Sequence, residues 1–141
     1  MYKYHIVAEP DDNDTYLITC PDLPEVTTFS ETEADITHYA TGAINEAIAA
    51  RVAYLRPLPQ PSAGKGPIIL PDPQLVIKAL LIQAMADQGI NRAELMRRLD
   101  THRKAVDRLF MPNIQSPISK YQQAFLAMGK SLDVSLTDLV A

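Results

Sequence analysis

The sequence predicts an α+β chain in two parts: an antiparallel sheet carrying one long helix, then an all-α helix-turn-helix half. Three observations predict it. Tyr2, Tyr4, Ile6 and Ala8 alternate along residues 2–8, the period-two pattern of a half-buried strand. Prolines 57, 59, 61, 67, 71 and 73, six of the eleven in the chain, crowd residues 56–73. Beyond Pro73 the sequence reads as helix to its end. The boundary therefore falls near residue 71, giving parts 1–71 and 72–141, with the proline-rich connection at 56–73.

The first part opens with strands at 2–8 and 15–20. The turn-forming run Glu9-Pro-Asp-Asp-Asn-Asp14 joins them as a hairpin. Pro21 and Pro24 stop the second strand, and Val26 to Phe29 supply a third. Ser30 and Glu33 have the spacing of a capping box. The helix that follows runs to about Leu55, with Ile36, Ala40, Ala43, Ile44, Ala47, Ile48 and Val52 on its apolar side. Proline at the density of 56–73 forbids regular helix and favours extended chain. Within it, Ile68 to Leu70 can add an edge strand to the sheet.

The second part begins with a helix from Leu75 to Gln88, closed by Gly89. It is apolar on more than one side, so it needs burial on more than one side. Short helices follow at 91–99, 102–110 and 119–128.

Charge separates the two parts. Residues 1–71 hold four Lys/Arg and ten Asp/Glu, a net of −6, while 72–141 hold nine and seven, a net of +2. An acidic surface attracts a basic protein, and a local basic patch attracts nucleic acid. The whole-chain isoelectric point of about 5.3 hides this split. Lone Cys20 excludes an internal disulfide and, beside Pro21, reads as a small apolar core residue. Because the N-terminus alternates, it does not read as a signal peptide, and no apolar run is long enough to cross a membrane. Cytoplasmic localisation is the expectation.

The segment NRAELMRRLDTHRKAVDRLF (91–110) has the pattern of a helix-turn-helix. Leu95 and Leu99 on the first helix, with Ala105, Val106, Leu109 and Phe110 on the second, form its core. Asp100 sits where the turn needs a left-handed residue, and Thr101 or Asp100 is placed to cap the second helix. Its outward residues carry a net of +3. A second helix of this kind enters the major groove with its N-terminal side chains over the bases. His102, Arg103, Lys104 and Asp107 are the expected groove-facing residues, with Arg108 and Arg98 nearer the phosphates.

No catalytic constellation is expected. Glu9, Asp11, Asp12 and Asp14 share one hairpin tip instead of converging on a metal. His5, His38 and His102 lack ligand spacing, and Gly64-Lys-Gly66 is too short for a phosphate loop. Neither cofactor nor metal is implied, and the chain reads as a non-enzyme.

The order of these pieces resembles the HicB antitoxins of bacterial type II toxin–antitoxin pairs. YLITCPDLPEVTTFSETEADITHYATGAINEAI (16–48), PLPQPS (57–62), KALLIQAMADQGINRAELMRRLDTHRKAVDRLF (78–110) and LAMGKSL (126–132) carry the resemblance. It implies a partial RNase H-like fold without nuclease activity for the N-terminal part. That part would dock on HicA, a small basic toxin that cleaves mRNA, with Asp22 and Glu25 as candidate toxin contacts. The resemblance also implies a C-terminal part that represses its operon by binding operator DNA and that forms a homodimer or higher oligomer. Val76, Leu80 and Leu81 are the candidate dimer residues. Two other functions fit the pattern: a stand-alone regulator whose N-terminal part senses a small ligand, and a degenerate nuclease.

Overall fold

A computed structural model describes residues 2–138. Its strands are β1 (Tyr4–His5), β2 (Val7–Pro10), β3 (Tyr16–Thr19), β4 (Thr27–Ser30) and β5 (Ile68–Ile69). Its helices are α1 (Ile36–Ala53), α2 (Pro73–Gln88), α3 (Arg92–Leu99), α4 (Arg103–Arg108) and α5 (Ile118–Leu126). The mixed content and antiparallel pairing make it an α+β protein.

β2, β3 and β4 form an antiparallel meander, while β1 pairs antiparallel with β5. The expected first strand is thus one extended segment with two partners. Its apolar alternation holds: Tyr2, Tyr4 and Ile6 are buried. The switch falls at Ile6, whose amide donates to the Pro67 carbonyl at 3.0 Å. This close pass of two backbones explains Gly66. Its φ is +116°, and a Cβ there would stand 2.9 Å from the Ile6 carbonyl oxygen, so only glycine fits without a shift.

The hairpin tip Asp12–Asp14 is a short 3₁₀ turn with Asn13 and Asp14 at positive φ, and its carboxylates are exposed. The helix start differs from the expected capping box. Ser30 is still paired with Tyr16 in the sheet, and its hydroxyl is turned onto Thr32, donating to that carbonyl at 2.6 Å. With both of its hydrogen bonds made to the Thr32 backbone, the Ser30 hydroxyl does not reach the Glu33 amide. Thr32 takes over: its Oγ1 accepts from the Asp35 amide at 3.2 Å and donates to the Asp35 carboxylate at 2.8 Å. One 3₁₀ turn then leads into α1. At the other end α1 stops at Ala53, and Leu55 lies beyond it, exposed, with φ +55°.

The proline-rich connection is fastened to the sheet. Leu58 is buried. The Tyr4 hydroxyl donates to the Pro59 carbonyl at 2.7 Å, and the Ser62 amide and hydroxyl both donate to Asp22. α1 packs against β3, β4 and β5 and also against α2. Tyr4, Ile18, Ile44, Ile48, Leu81, Leu95 and Tyr121 consequently belong to one continuous core. Asn45 on α1 accepts from the Asp72 amide at 2.9 Å, and Asp72 in turn caps α2 by accepting from the Gln74 amide. Gly89, at φ +64°, closes α2 as expected.

Candidate nucleic-acid interface

α3 and α4 are short helices joined by a tight turn, and each end of that turn is chemically specified. Asn91 caps α3 by accepting from the Glu94 amide at 2.9 Å. Asp100 ends α3 in the left-handed conformation expected of it, at φ +50°, ψ +52°. The cap of α4 is neither Asp100 nor Thr101, because it falls one residue further on. His102 Nδ1 accepts from the Ala105 amide at 3.3 Å, which leaves Nε2 as the outward ring nitrogen. Beneath the turn, Leu95, Val106, Leu109 and Phe110 are buried. Leu99 and Ala105 are half-buried.

The residues expected to face the groove or the phosphates divide into exposed and committed ones. His102, Arg103, Lys104 and Arg108 are exposed, and the Arg103 side chain retains 82% of its accessible surface. Asp107 is committed: its carboxylate accepts from Arg92 at 3.0 Å and lies 3.6 Å from Arg103. Through Asp107 the start of α3 is tied to α4. That contact, between residues fifteen apart, has no signature in the sequence. Arg98 is also held, by Glu94 at 2.9 Å and by the Ala127 carbonyl at 3.3 Å. Glu94 accepts from both Arg97 and Arg98, which lowers its carboxyl to about 2. Met96, a long side chain on the inner side of α3, borders a hollow of about 380 Å³ with Arg92, Arg103, Val106 and Asp107.

The two candidate toxin contacts have partners within the chain. Asp22 holds Ser62, and those hydrogen bonds keep its carboxyl below the ordinary aspartate range. Glu25 forms a two-point pair with Arg51 at 2.8 and 3.1 Å, which lowers its carboxyl likewise. Sequence reasoning missed a different acidic feature. The register Pro10↔Tyr16↔Ser30 brings the β2–β3 tip and the β4–α1 junction to the same end of the meander. Glu9, Asp11, Asp12, Asp14, Glu31, Glu33 and Asp35 are all exposed there, with Phe29 exposed on the adjoining edge strand. The chain has no Lys or Arg between residues 4 and 50.

Of the candidate dimer residues, Leu80 is 37% exposed and Val76 half-buried, but Leu81 is wholly buried in the chain's own core. Successive residues on a helix point about 100° apart, so Leu80 and Leu81 cannot share an outer surface. Val76, Ile77 and Leu80 instead line an apolar groove with Tyr2, Leu70 and the extended tail from Leu132.

Cys20 is buried, and desolvation pushes its thiol up, in keeping with an apolar packing residue. Among the described residues, no three His, Cys, Asp or Glu side chains gather as metal ligands. No helix among them is long and apolar enough to cross a membrane.

Residues 3–72 match the family model for HicB-like antitoxins of bacterial toxin–antitoxin systems. The chain is 28% identical over 134 residues to antitoxin HicB of Escherichia coli K12, covering 94% of this chain and 97% of that protein. It is 27% identical over 139 residues to antitoxin HicB of Pseudomonas fluorescens, covering 96% and 94%. To antitoxin HicB 1 of Photorhabdus laumondii it is 26% identical over 139 residues, covering 95% and 86%. The similarity thus extends through α3, α4 and α5, beyond the matched model, and the chain belongs to the HicB family of antitoxins.

Proposed function

We propose that this antitoxin neutralises a HicA-type mRNA-cleaving toxin through residues 1–71, a partial RNase H-like unit. On this reading it also represses its own operon by binding operator DNA through α3 and α4 as a helix-turn-helix. The observation that carries the DNA reading is the cluster His102, Arg103, Lys104 and Arg108. All four are exposed, His102 as the cap and the others on one short helix that contacts from α2 and α3 also hold. A guanidinium can read guanine by two hydrogen bonds, and each neutralised phosphate adds salt-dependent affinity.

The toxin reading rests on family membership together with the acidic end of the meander. A toxin that holds RNA phosphate presents basic groups, and opposite fields speed association and select the correct partner. Neutralisation then follows from covering the toxin's RNA-binding face, with no chemistry from this chain. Self-association through the groove around Val76 and Leu80 would place two copies of α4 on one duplex, about 34 Å apart for a two-fold operator.

The test is co-expression of this chain with the product of the adjoining gene, followed by purification through a tag on that product. A stable complex that silences RNA cleavage supports the reading. A toxin that remains active in the presence of excess antitoxin contradicts it.

A further inference from the structure

Lys78 lies mid-way along α2 with no exposed surface, the one charged side chain in the buried set among the described residues. An ammonium taken out of water is costly unless its donors are used. Here Nζ donates to the Arg108 carbonyl at 3.3 Å and the Leu109 carbonyl at 3.1 Å, with the Tyr121 ring centre 5.3 Å away. Those carbonyls lie at the C-terminal end of α4, where a helix has unsatisfied acceptors and partial negative charge. Tyr121 is itself held: its hydroxyl donates to Gln74 Oε1 at 2.6 Å, and Gln74 Nε2 donates to the Ser116 carbonyl at 3.2 Å. One buried polar cluster thus joins α2, the end of α4, the segment before α5, and α5.

α4 has six residues and a single buried side chain, Val106. A helix so short does not hold its own shape or direction in water, so its pose depends on what grips its ends. We infer that Lys78 is a positioning residue for operator binding: it anchors the C-terminal carbonyls of α4 to α2 and so aims His102, Arg103 and Lys104, without touching DNA itself. The inference rests on reading α4 as the recognition helix. The lever is short but sufficient. At about 1.5 Å per residue the helix is roughly 9 Å long, so a 10° tilt about its C-terminal end moves its N-terminus by about 1.5 Å. Hydrogen bonds to base edges tolerate a few tenths of an ångström.

The test uses the full chain and a fluorescein-labelled duplex taken from the sequence directly upstream of its own gene, titrated at several salt concentrations. A scrambled duplex is the control. Lys78→Met keeps the stem and removes the donors and charge; Lys78→Gln keeps an amide donor. Amide hydrogen exchange over residues 103–110 is followed in parallel. We expect Lys78→Met to bind 10- to 100-fold more weakly, Lys78→Gln to fall between it and the parent, and exchange in α4 to quicken. Exchange in α4 that stays at the parent rate while affinity falls would overturn the inference. So would unchanged affinity of the folded variant; if Lys78→Met does not fold, unchanged affinity of Lys78→Gln overturns it equally. Parent protein that cannot distinguish the upstream duplex from the scrambled one removes the DNA reading and this inference together. Parent and variant binding equally well removes only the inference.

Discussion

Arg103→Ala and Lys104→Ala give the sharpest test of how α4 is used. Both side chains are exposed. Arg103 has only a distant ion pair, 3.6 Å from Asp107, with 82% of its surface free. Such a pair contributes at most about 0.2–1 kcal/mol to stability, and exposed substitutions away from special features stay within about 0.5 kcal/mol. The fold should therefore survive with nearly unchanged thermal midpoints. The binding cost is larger. Losing a two-point contact to a base costs about 1–3 kcal/mol, roughly 5- to 150-fold, and relaxes specificity at that position. Losing a phosphate contact weakens all duplexes together and reduces the salt slope by about 0.9. Fluorescence anisotropy with the upstream duplex and single-base variants of it, at several salt concentrations, separates the two. Lys65→Ala, exposed on the proline-rich connection, is the control. If Arg103→Ala and Lys104→Ala leave both affinity and slope unchanged, or lose no more than the control, α4 is not the reading helix.

Other perturbations probe the rest of the account. Leu80→Glu should leave the melting transition nearly intact and shift the chain toward monomer in light scattering, whereas Leu81→Ala, a core truncation, should lose about 2–5 kcal/mol by denaturant titration. Asp100→Gly should raise stability by up to about 1 kcal/mol, since glycine adopts the left-handed backbone at φ +50° without a Cβ penalty; a lower midpoint would show that the aspartate side chain stabilises the turn. Asp22 and Glu25 have carboxyls lowered by their partners in the folded state. Their stabilisation is thus full above the unfolded values near pH 4 and is lost as pH falls through the lower folded values. The thermal midpoint should stay level from about pH 7 to 5 and then fall, and Asp22→Asn with Glu25→Gln should flatten that fall.

Local pattern made much of this fold legible, and tertiary competition hid the rest. Alternation placed Tyr2, Tyr4 and Ile6 in the core because period two has only two sides to choose from. It could not show the switch of partner at Ile6, which depends on Gly66 sixty residues away. Gly89 and Asp100 were readable because left-handed backbone admits few residue types. Ser30 and Thr32 are equally good caps in sequence; in the fold the Ser30 hydroxyl is bonded to the Thr32 backbone, and Thr32 is the one that reaches the Asp35 amide. Leu80 and Leu81 are indistinguishable by sequence in a helix apolar on several sides; the packing of α2 in the core buries Leu81 and leaves Leu80 part-exposed. Asp22 and Glu25 read as outward acids, yet their partners Ser62 and Arg51 lie 40 and 26 residues away. The acidic end of the meander was hidden likewise, because strand register alone brings residues 9–14 beside 31–35.

The central claim is that one chain performs two separable tasks, and one growth measurement tests it most directly. Cells express the adjoining gene's toxin from an unrelated promoter, so that repression cannot contribute, together with either the full-length antitoxin or its Arg103→Ala/Lys104→Ala variant. The two forms should rescue growth equally at matched protein levels, while only the parent silences a reporter driven by the upstream region. Loss of rescue by the folded variant would place α4 in toxin neutralisation and contradict the division of labour.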